Sequence, residues 1–200
     1  MKQIEIRDKG VERLDIKELT IEQIREIYAE WIPNDFAPDE IKPLSRIEEA
    51  LSTGHYACYG AFDGDGITAY AFFVINGGYA LLDYFAVRED LRGHGTGSEF
   101  LHGMTTGLLR RFETVLLESE DPDYAETDDE RDKMERRLRF YRKNGLVETG
   151  VISTVWHVHY RILQFPIGRE ISADDIRDVY RGIYKVILPE TLYQTMVWVK

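Results

Sequence analysis

Two hundred residues, 44% hydrophobic and 30% charged, suffice for one soluble globular domain with a substantial core and a short appendage. A net charge of −11 argues against a nucleic-acid partner, whose phosphates would be repelled at long range; it leaves cationic partners open and also serves solubility. The single cysteine, Cys58, excludes an intrachain disulfide and a multi-cysteine zinc site, and its apolar, aromatic neighbours make it a buried thiol rather than a nucleophile.

The chain opens Met1-Lys2-Gln3-Ile4-Glu5, charged from the start and without the apolar core of a signal peptide. No later run approaches the length needed to cross a bilayer, so the expectation is a cytoplasmic protein without a membrane partner. Thr20 and Gln23 form a capping-box pattern ahead of Ile21, Ile24, Ile27, Tyr28 and Trp31, an apolar stripe at helical spacing. Ser45 and Glu48 predict a second, short helix closed by Gly54, and Pro33, Pro38 and Pro43 punctuate the stretch between.

A β region follows. Residues 55–63 read as a strand, Gly64-Asp65-Gly66 as a turn, residues 67–75 as the returning strand, Asn76-Gly77-Gly78 as a second turn and residues 79–87 as a third strand. Together they predict an antiparallel meander. The pattern then changes period: Phe100, Leu101, Met104, Leu108, Leu109 and Phe112 predict a helix to about Arg111, and residues 114–117 a short strand ending in Glu118 and Glu120. Strand, helix and strand in that order imply a parallel pair with a crossover. Eight carboxylates without a base between Glu118 and Glu130 predict a solvated loop, and an arginine-rich helix then runs to Asn144, closed by Gly145. Residues 147–165 read as a strand pair. Ser172 and Asp175 cap a last helix carrying Ile176, Val179, Tyr180 and Ile183, and residues 195–199 suggest a final strand.

The chemistry concentrates where strand gives way to helix, at Arg92-Gly93-His94-Gly95-Thr96-Gly97-Ser98. Three glycines at alternate positions allow successive N–H groups to converge on an anion, and a helix N-terminus adds unpaired donors and a positive dipole end. Such a loop suits phosphate oxygens. A Walker loop would need Gly-Lys-Ser/Thr where this one reads Gly97-Ser98-Glu99, and the spacing fails the dinucleotide fingerprint, whose parallel-sheet context is also missing.

At these residues the chain resembles the GNAT superfamily of N-acetyltransferases. Leu82-Asp83-Tyr84-Phe85-Ala86-Val87 looks like that family's fourth strand, Arg92 to Gly97 matches its Arg/Gln-x-x-Gly-x-Gly/Ala cofactor loop, and Phe140-Tyr141-Arg142-Lys143-Asn144-Gly145-Leu146 is similar to its Phe-Tyr-x-x-x-Gly-Phe segment. The resemblance spans about residues 20–165. It implies an α/β fold with a mixed, mostly antiparallel, splayed sheet and helices on both faces, formed by residues 1–165, with residues 166–200 as a C-terminal helix and tail packed on the same domain. It implies acetyl-CoA as co-substrate, its pyrophosphate held by the amides of Gly93, His94, Gly95, Thr96, Gly97 and Ser98, with Arg92 in the same loop. The pantetheine arm would pair with backbone groups of Phe85 and Val87. Met134 and Arg137 stand where the family often has Asn and Ala, which bears on the far side of that arm.

Amide formation from a thioester by direct attack within a ternary complex needs no enzyme nucleophile. A backbone N–H near Val87 suits a developing oxyanion. By carry-over Tyr141 is the general acid; the alternative is a core tyrosine. Candidate bases are Asp83, placed by alternation on the side of Phe85 and Val87, and Glu118 and Glu120, sharing one face of the next strand; each has a solvated or substrate-anchoring alternative. His157 and His159, two apart, have no third ligand at convincing spacing, so no metal is expected. Trp31 and Trp156 read as core. The partner expected is a small, cationic amine, the acidic residues near Asp83, Glu118 and Glu120 reading its charge. A non-catalytic acyl-CoA sensor and a protein N-acetyltransferase are the other readings, and a homodimer is left open.

Overall fold

The computed structural model describes residues 14–38, 40–64 and 66–200; the charged opening of the chain and Asp65 of the predicted first turn lie outside them. After strand β1 (Asp15–Glu18) the capping box forms as its sequence requires: Gln23 N–H donates to Thr20 Oγ1 and Thr20 N–H to Gln23 Oε1, starting helix α1 (Ile21–Glu30). A short α2 (Ile32–Asp35) and α3 (Leu44–Ser52) follow. The meander is present as β2 (Tyr56–Asp63), β3 (Gly66–Asn76) and β4 (Tyr79–Val87), all antiparallel.

Helix α4 (Thr96–Thr106) crosses to β5 (Thr114–Glu120), which pairs parallel with β4. The helix is shorter than its apolar period suggested, because Gly107 leaves helical angles and residues 108–111 tighten into a 3₁₀ turn. The acidic stretch is also less solvated than predicted. Asp121 is buried and accepts from Arg161 Nε at 2.7 Å, and residues 122–124 form another 3₁₀ turn. Helix α5 (Asp128–Lys143), strands β6 (Val147–Val155) and β7 (Val158–Gln164), helices α6 (Ala173–Ile187) and α7 (Glu190–Met196) and strand β8 (Val197–Val199) complete the chain. His157 occupies the β6–β7 turn with φ 72°, so it shares no strand face with His159, which instead stacks on Tyr124.

The eight strands form one sheet in the order β1-β2-β3-β4-β5-β7-β6-β8. One face buries Ile24, Ile27, Ile47, Phe72, Tyr84, Leu116, Ile176 and Ile183 beneath α1, α3 and α6. The other buries Phe73, Leu82, Phe100, Met104, Leu117, Leu138 and Tyr141 beneath α4 and α5. The last 35 residues therefore contribute both a helix to the first core and the eighth strand. No helix among the described residues is long and apolar enough to cross a membrane.

Ile183 is fully buried in α6. Ile183→Ala should cost about 3 kcal/mol in urea unfolding, within the range for buried aliphatic truncations. A loss below about 1 kcal/mol would show that α6 adds little to the common core.

Candidate active site

Pairing between β4 and β5 runs only from Tyr79↔Thr114 to Leu82↔Leu117. Beyond it, Glu118, Ser119 and Glu120 pair with Ile162, Arg161 and Tyr160 of β7, and residues 83–87 lose their neighbour on that side. The parting coincides with a β-bulge: Phe73 faces Leu82 and Phe72 faces Tyr84, leaving Asp83 as the extra residue. Past the bulge, Arg88 N–H donates to Thr68 C=O at 2.9 Å. That bond fixes the phase of the β3–β4 ladder, so the N–H and C=O groups of Val87 and Phe85, opposite Ala69 and Ala71, point away from β3 and into the gap.

The bulge also overturns the placement of Asp83 by alternation. Phe85 stacks on Phe100 and Phe140 in the core under α4 and α5. Asp83 turns to the opposite face, where it pairs with Lys42 Nζ at 2.5 Å and accepts a hydrogen bond from Tyr56. Its side chain is only 4% exposed, so the carboxylate is a committed ion-pair partner. Burial disfavours the Lys42 charge, but Asp83, Tyr84 and Glu118 together offset this and the ammonium's pKa rises.

At the end of β4 the glycine loop turns into α4. Gly95 stands at the N-cap with φ 96°, a region that strains any side chain with a Cβ. The bond from Glu99 N–H to Gly95 C=O, 3.0 Å, enters the helix. The amides of Thr96, Gly97 and Ser98 in the first turn have no place in that ladder and face outward from the helix end. Gly97 serves close approach: a Cβ there would lie 3.2 Å from both Val87 and Phe140. The loop thus presents a cradle of free amides beside the open edge of β4, which fits a phosphate-bearing ligand. Arg92 does not point into it. Its Nε donates to Val87 C=O at 2.9 Å and its guanidinium pairs with Asp35 of α2, which also accepts from Tyr70 at 2.9 Å. Arg92 is therefore a brace tying the loop to the strand end and to α2. His94 is exposed.

The two glutamates of β5 share a strand face but take partners from helices on opposite sides of the sheet. Glu120 pairs with Arg137 of α5, which neutralises it. Glu118 meets α6: the Tyr184 hydroxyl lies 2.8 and 3.0 Å from its two oxygens, and the Tyr180 hydroxyl donates to one of them. Burial pushes the Glu118 pKa up to about 7, against the pull of the tyrosine hydrogen bonds and Lys42, while Asp83 adds to the rise. The residue nevertheless remains partly exposed. Tyr141, from α5, is buried beside the Arg137–Glu120 pair, and burial raises its pKa while Arg137 lowers it. Unlike Tyr180 and Tyr184, its hydroxyl is engaged by no other side chain among the described residues. The structure places Glu118 just past the parting of β4 and β5 and Tyr141 in the core under α5 beside Arg137 and Glu120, and turns Asp83, Glu120 and Arg92 into ion pairs. Sequence reasoning missed Lys42, Asp35, Tyr180 and Tyr184 as site residues. The i, i+4 spacing of two tyrosines on the α6 stripe was the one signal available, and it reads equally well as core.

Residues 21–146 match a family model described as the acetyltransferase (GNAT) family. No curated protein matches the chain. Among solved structures, an acetyltransferase assigned to that family from Bacteroides thetaiotaomicron superposes with a TM-score of 0.65 at 18% identity, covering 86% of this chain and 97% of its own. A GNAT acetyltransferase from Elizabethkingia anophelis with acetyl-CoA bound gives 0.53 at 13% identity over 78% of this chain and 99% of its own. An aminoglycoside 6'-N-acetyltransferase complexed with coenzyme A gives 0.53 at 17% identity over 75% and 95%. At these identities the superpositions establish a shared fold.

The raised pKa of Glu118 has a thermodynamic signature. A carboxyl that ionises at about 7 when folded and near 4.3 when unfolded retains a native proton that the unfolded chain releases, so stability falls as pH rises between those values. Glu118→Gln should abolish that component: its stability relative to the parent should rise from pH 4 to pH 8 in parallel denaturant titrations. A pH-independent difference would place the Glu118 pKa at its ordinary value.

Proposed function

The chain belongs to the GNAT acetyltransferase family, and on that premise we propose that it moves an acetyl group from acetyl-CoA to a primary amine by direct attack in a ternary complex. The observation that carries this reading is the gap between β4 and β5, with inward-facing backbone groups of Phe85 and Val87 on one edge and the amide cradle of the glycine loop at its end. Two relatives of the same fold hold acetyl-CoA or coenzyme A. In this chain the amides of residues 93–98 would hold the pyrophosphate, and Phe85 and Val87 the pantetheine arm. Bound acetyl-CoA would supply the acetyl group as an activated thioester.

The chain's own residues supply the rest. The Val87 N–H, pointing into the gap, is placed to stabilise negative charge on a carbonyl oxygen. Glu118 takes the proton from the incoming ammonium, directly or through water. Ionising at about 7, it is a base matched to neutral pH, stronger than an ordinary carboxylate and still substantially ionised. Tyr141, with an uncommitted hydroxyl, serves the departing thiolate. Asp83 and Glu120 are given no part in proton transfer or in anchoring a second cation, because Lys42 and Arg137 already neutralise them. The acceptor is thus read as an amine, and the overall acidity of the surface as serving solubility and long-range attraction.

Acetyl-CoA should stabilise the protein by about 2.7 kcal/mol at a hundredfold excess over its dissociation constant. Gly95→Val should remove that stabilisation, since φ 96° strains a β-branched residue. Absence of any thermal shift in the parent at millimolar cofactor would overturn the assignment.

Glu118→Gln and Tyr141→Phe should each lower kcat roughly 10²- to 10⁴-fold while leaving the acetyl-CoA-induced shift intact. Undiminished turnover, with chemistry rate-limiting, would return either residue to a packing role. Binding of acetyl-CoA without turnover on any amine would favour a sensor.

A further inference from the structure

The family match ends at residue 146, yet the environment of Glu118 is completed from beyond it. Helix α6 starts at Ser172, whose Oγ accepts from Asp175 N–H, and buries Ile176, Tyr180, Ile183 and Tyr184 against the sheet. Tyr180 and Tyr184 are one helical turn apart, so both rings lie on the same stripe, with centroids 4.9 Å apart. Both hydroxyls converge on one carboxylate. Tyr184 spans its two oxygens at 2.8 and 3.0 Å, Tyr180 donates to Oε1, and Ser153 Oγ of β6 hydrogen-bonds with the Tyr180 oxygen at 2.8 Å. A core tyrosine needs one partner for its hydroxyl, and Tyr180 already has Ser153; two phenols on one largely buried carboxylate exceed what packing requires.

We infer that Tyr180 and Tyr184 are positioning residues that aim Glu118 at the gap and tune its proton affinity, making the C-terminal helix a functional part of the acetyltransferase site. This rests on the reading of Glu118 as the base. Hydrogen bonds donated to the ionised carboxylate favour it over the protonated form, so the pair opposes the effect of burial. The other charged or titratable groups facing Glu118 are Lys42 from the loop before α3, which also favours the carboxylate, and Asp83 from β4, which disfavours it. Tyr160 of β7 lies near as well. Lys42 is already held by Asp83, so the tyrosines are the direct partners through which the base is adjusted.

The experiment compares the parent, Tyr180→Phe, Tyr184→Phe, the double variant and Glu118→Gln, reading kcat/KM against pH with one amine acceptor. Phenylalanine retains each ring and removes only the hydroxyl. Losing a hydrogen bond to a charged group should raise the carboxyl pKa by on the order of one unit. The acid limb should therefore move to higher pH in the tyrosine variants, most in the double one, with activity lost near pH 7 and recovered near pH 9. A role in folding alone would lower activity or melting temperature without displacing the limb. That result, with the limb abolished in Glu118→Gln, overturns the positioning role and leaves the base intact. If the parent limb persists in Glu118→Gln, the base reading fails instead, and the limb belongs to the acceptor amine. A ¹³C titration of the Glu118 carboxyl in parent and double variant decides the tuning independently of turnover. An unchanged titration overturns it.

Discussion

A strand that loses its ladder neighbour leaves a row of backbone donors and acceptors that something must satisfy. In this protein β4 loses β5 after Leu82 and Leu117, and the rest of the site is arranged around that parting. The bulge at Asp83 sharpens the local twist and re-phases the strand, which sends Phe85 and Val87 to one face and Asp83 to the other. β5 cannot follow, because its last three residues are paired to β7. The gap is therefore enforced from both sides. On the proposed function, a ligand with an amide-bearing arm would complete the missing ladder, and the glycine loop would receive its charged end.

Electrostatics around the gap follow one pattern. Three acidic residues beside it meet a cation, Asp83 with Lys42, Glu120 with Arg137 and Asp35 with Arg92, whereas Glu118 has tyrosine hydroxyls in place of a direct ionic partner among the described residues. A buried carboxylate paired with a cation stays ionised and is a poor base, whereas one held by neutral donors keeps a higher proton affinity. On the proposed function, the identity of the partner separates the structural carboxylates from the one that would act as base. Beside the gap these three pairs cancel locally.

What the amino-acid sequence disclosed was whatever depends on neighbours along the chain. The Thr20–Gln23 box, the meander turns, the left-handed Gly95 and the Ser172 cap are local devices, and each stands where its residues placed it. The misreadings at the site required distant information. Alternation put Asp83 beside Phe85 because a bulge is a property of two strands, and nothing in residues 82–87 announces it. Glu118 and Glu120 looked equivalent because their partners, Tyr180 and Tyr184 for one and Arg137 for the other, arrive from two different helices. Arg92 matched the motif but serves as a brace, since Asp35 comes from a helix more than fifty residues earlier. Helix α4 was overextended because its apolar period continues through a 3₁₀ turn.

The two groups proposed to handle protons, Glu118 and Tyr141, also differ in kind, and burial explains how. Burial raises both pKa values, but the consequences are opposite. For Glu118 the rise brings the group to about 7, where it exchanges protons at neutral pH. For Tyr141 it moves an already weak acid further from neutrality, and a thiol ionises near 8.5, below even an unperturbed phenol at about 10. Full proton transfer from Tyr141 to a thiolate is therefore uphill. Its hydroxyl is more effective as a fixed hydrogen-bond donor, strengthening as charge accumulates on sulfur and leaving protonation of the thiolate to solvent. The neighbouring Arg137 would support the same function: its charge favours negative charge beside the Tyr141 hydroxyl, and Glu120 holds the guanidinium in place. On this reading the raised pKa of Tyr141 is an advantage, because it keeps the proton on the phenol near neutral pH, where Glu118 exchanges its own.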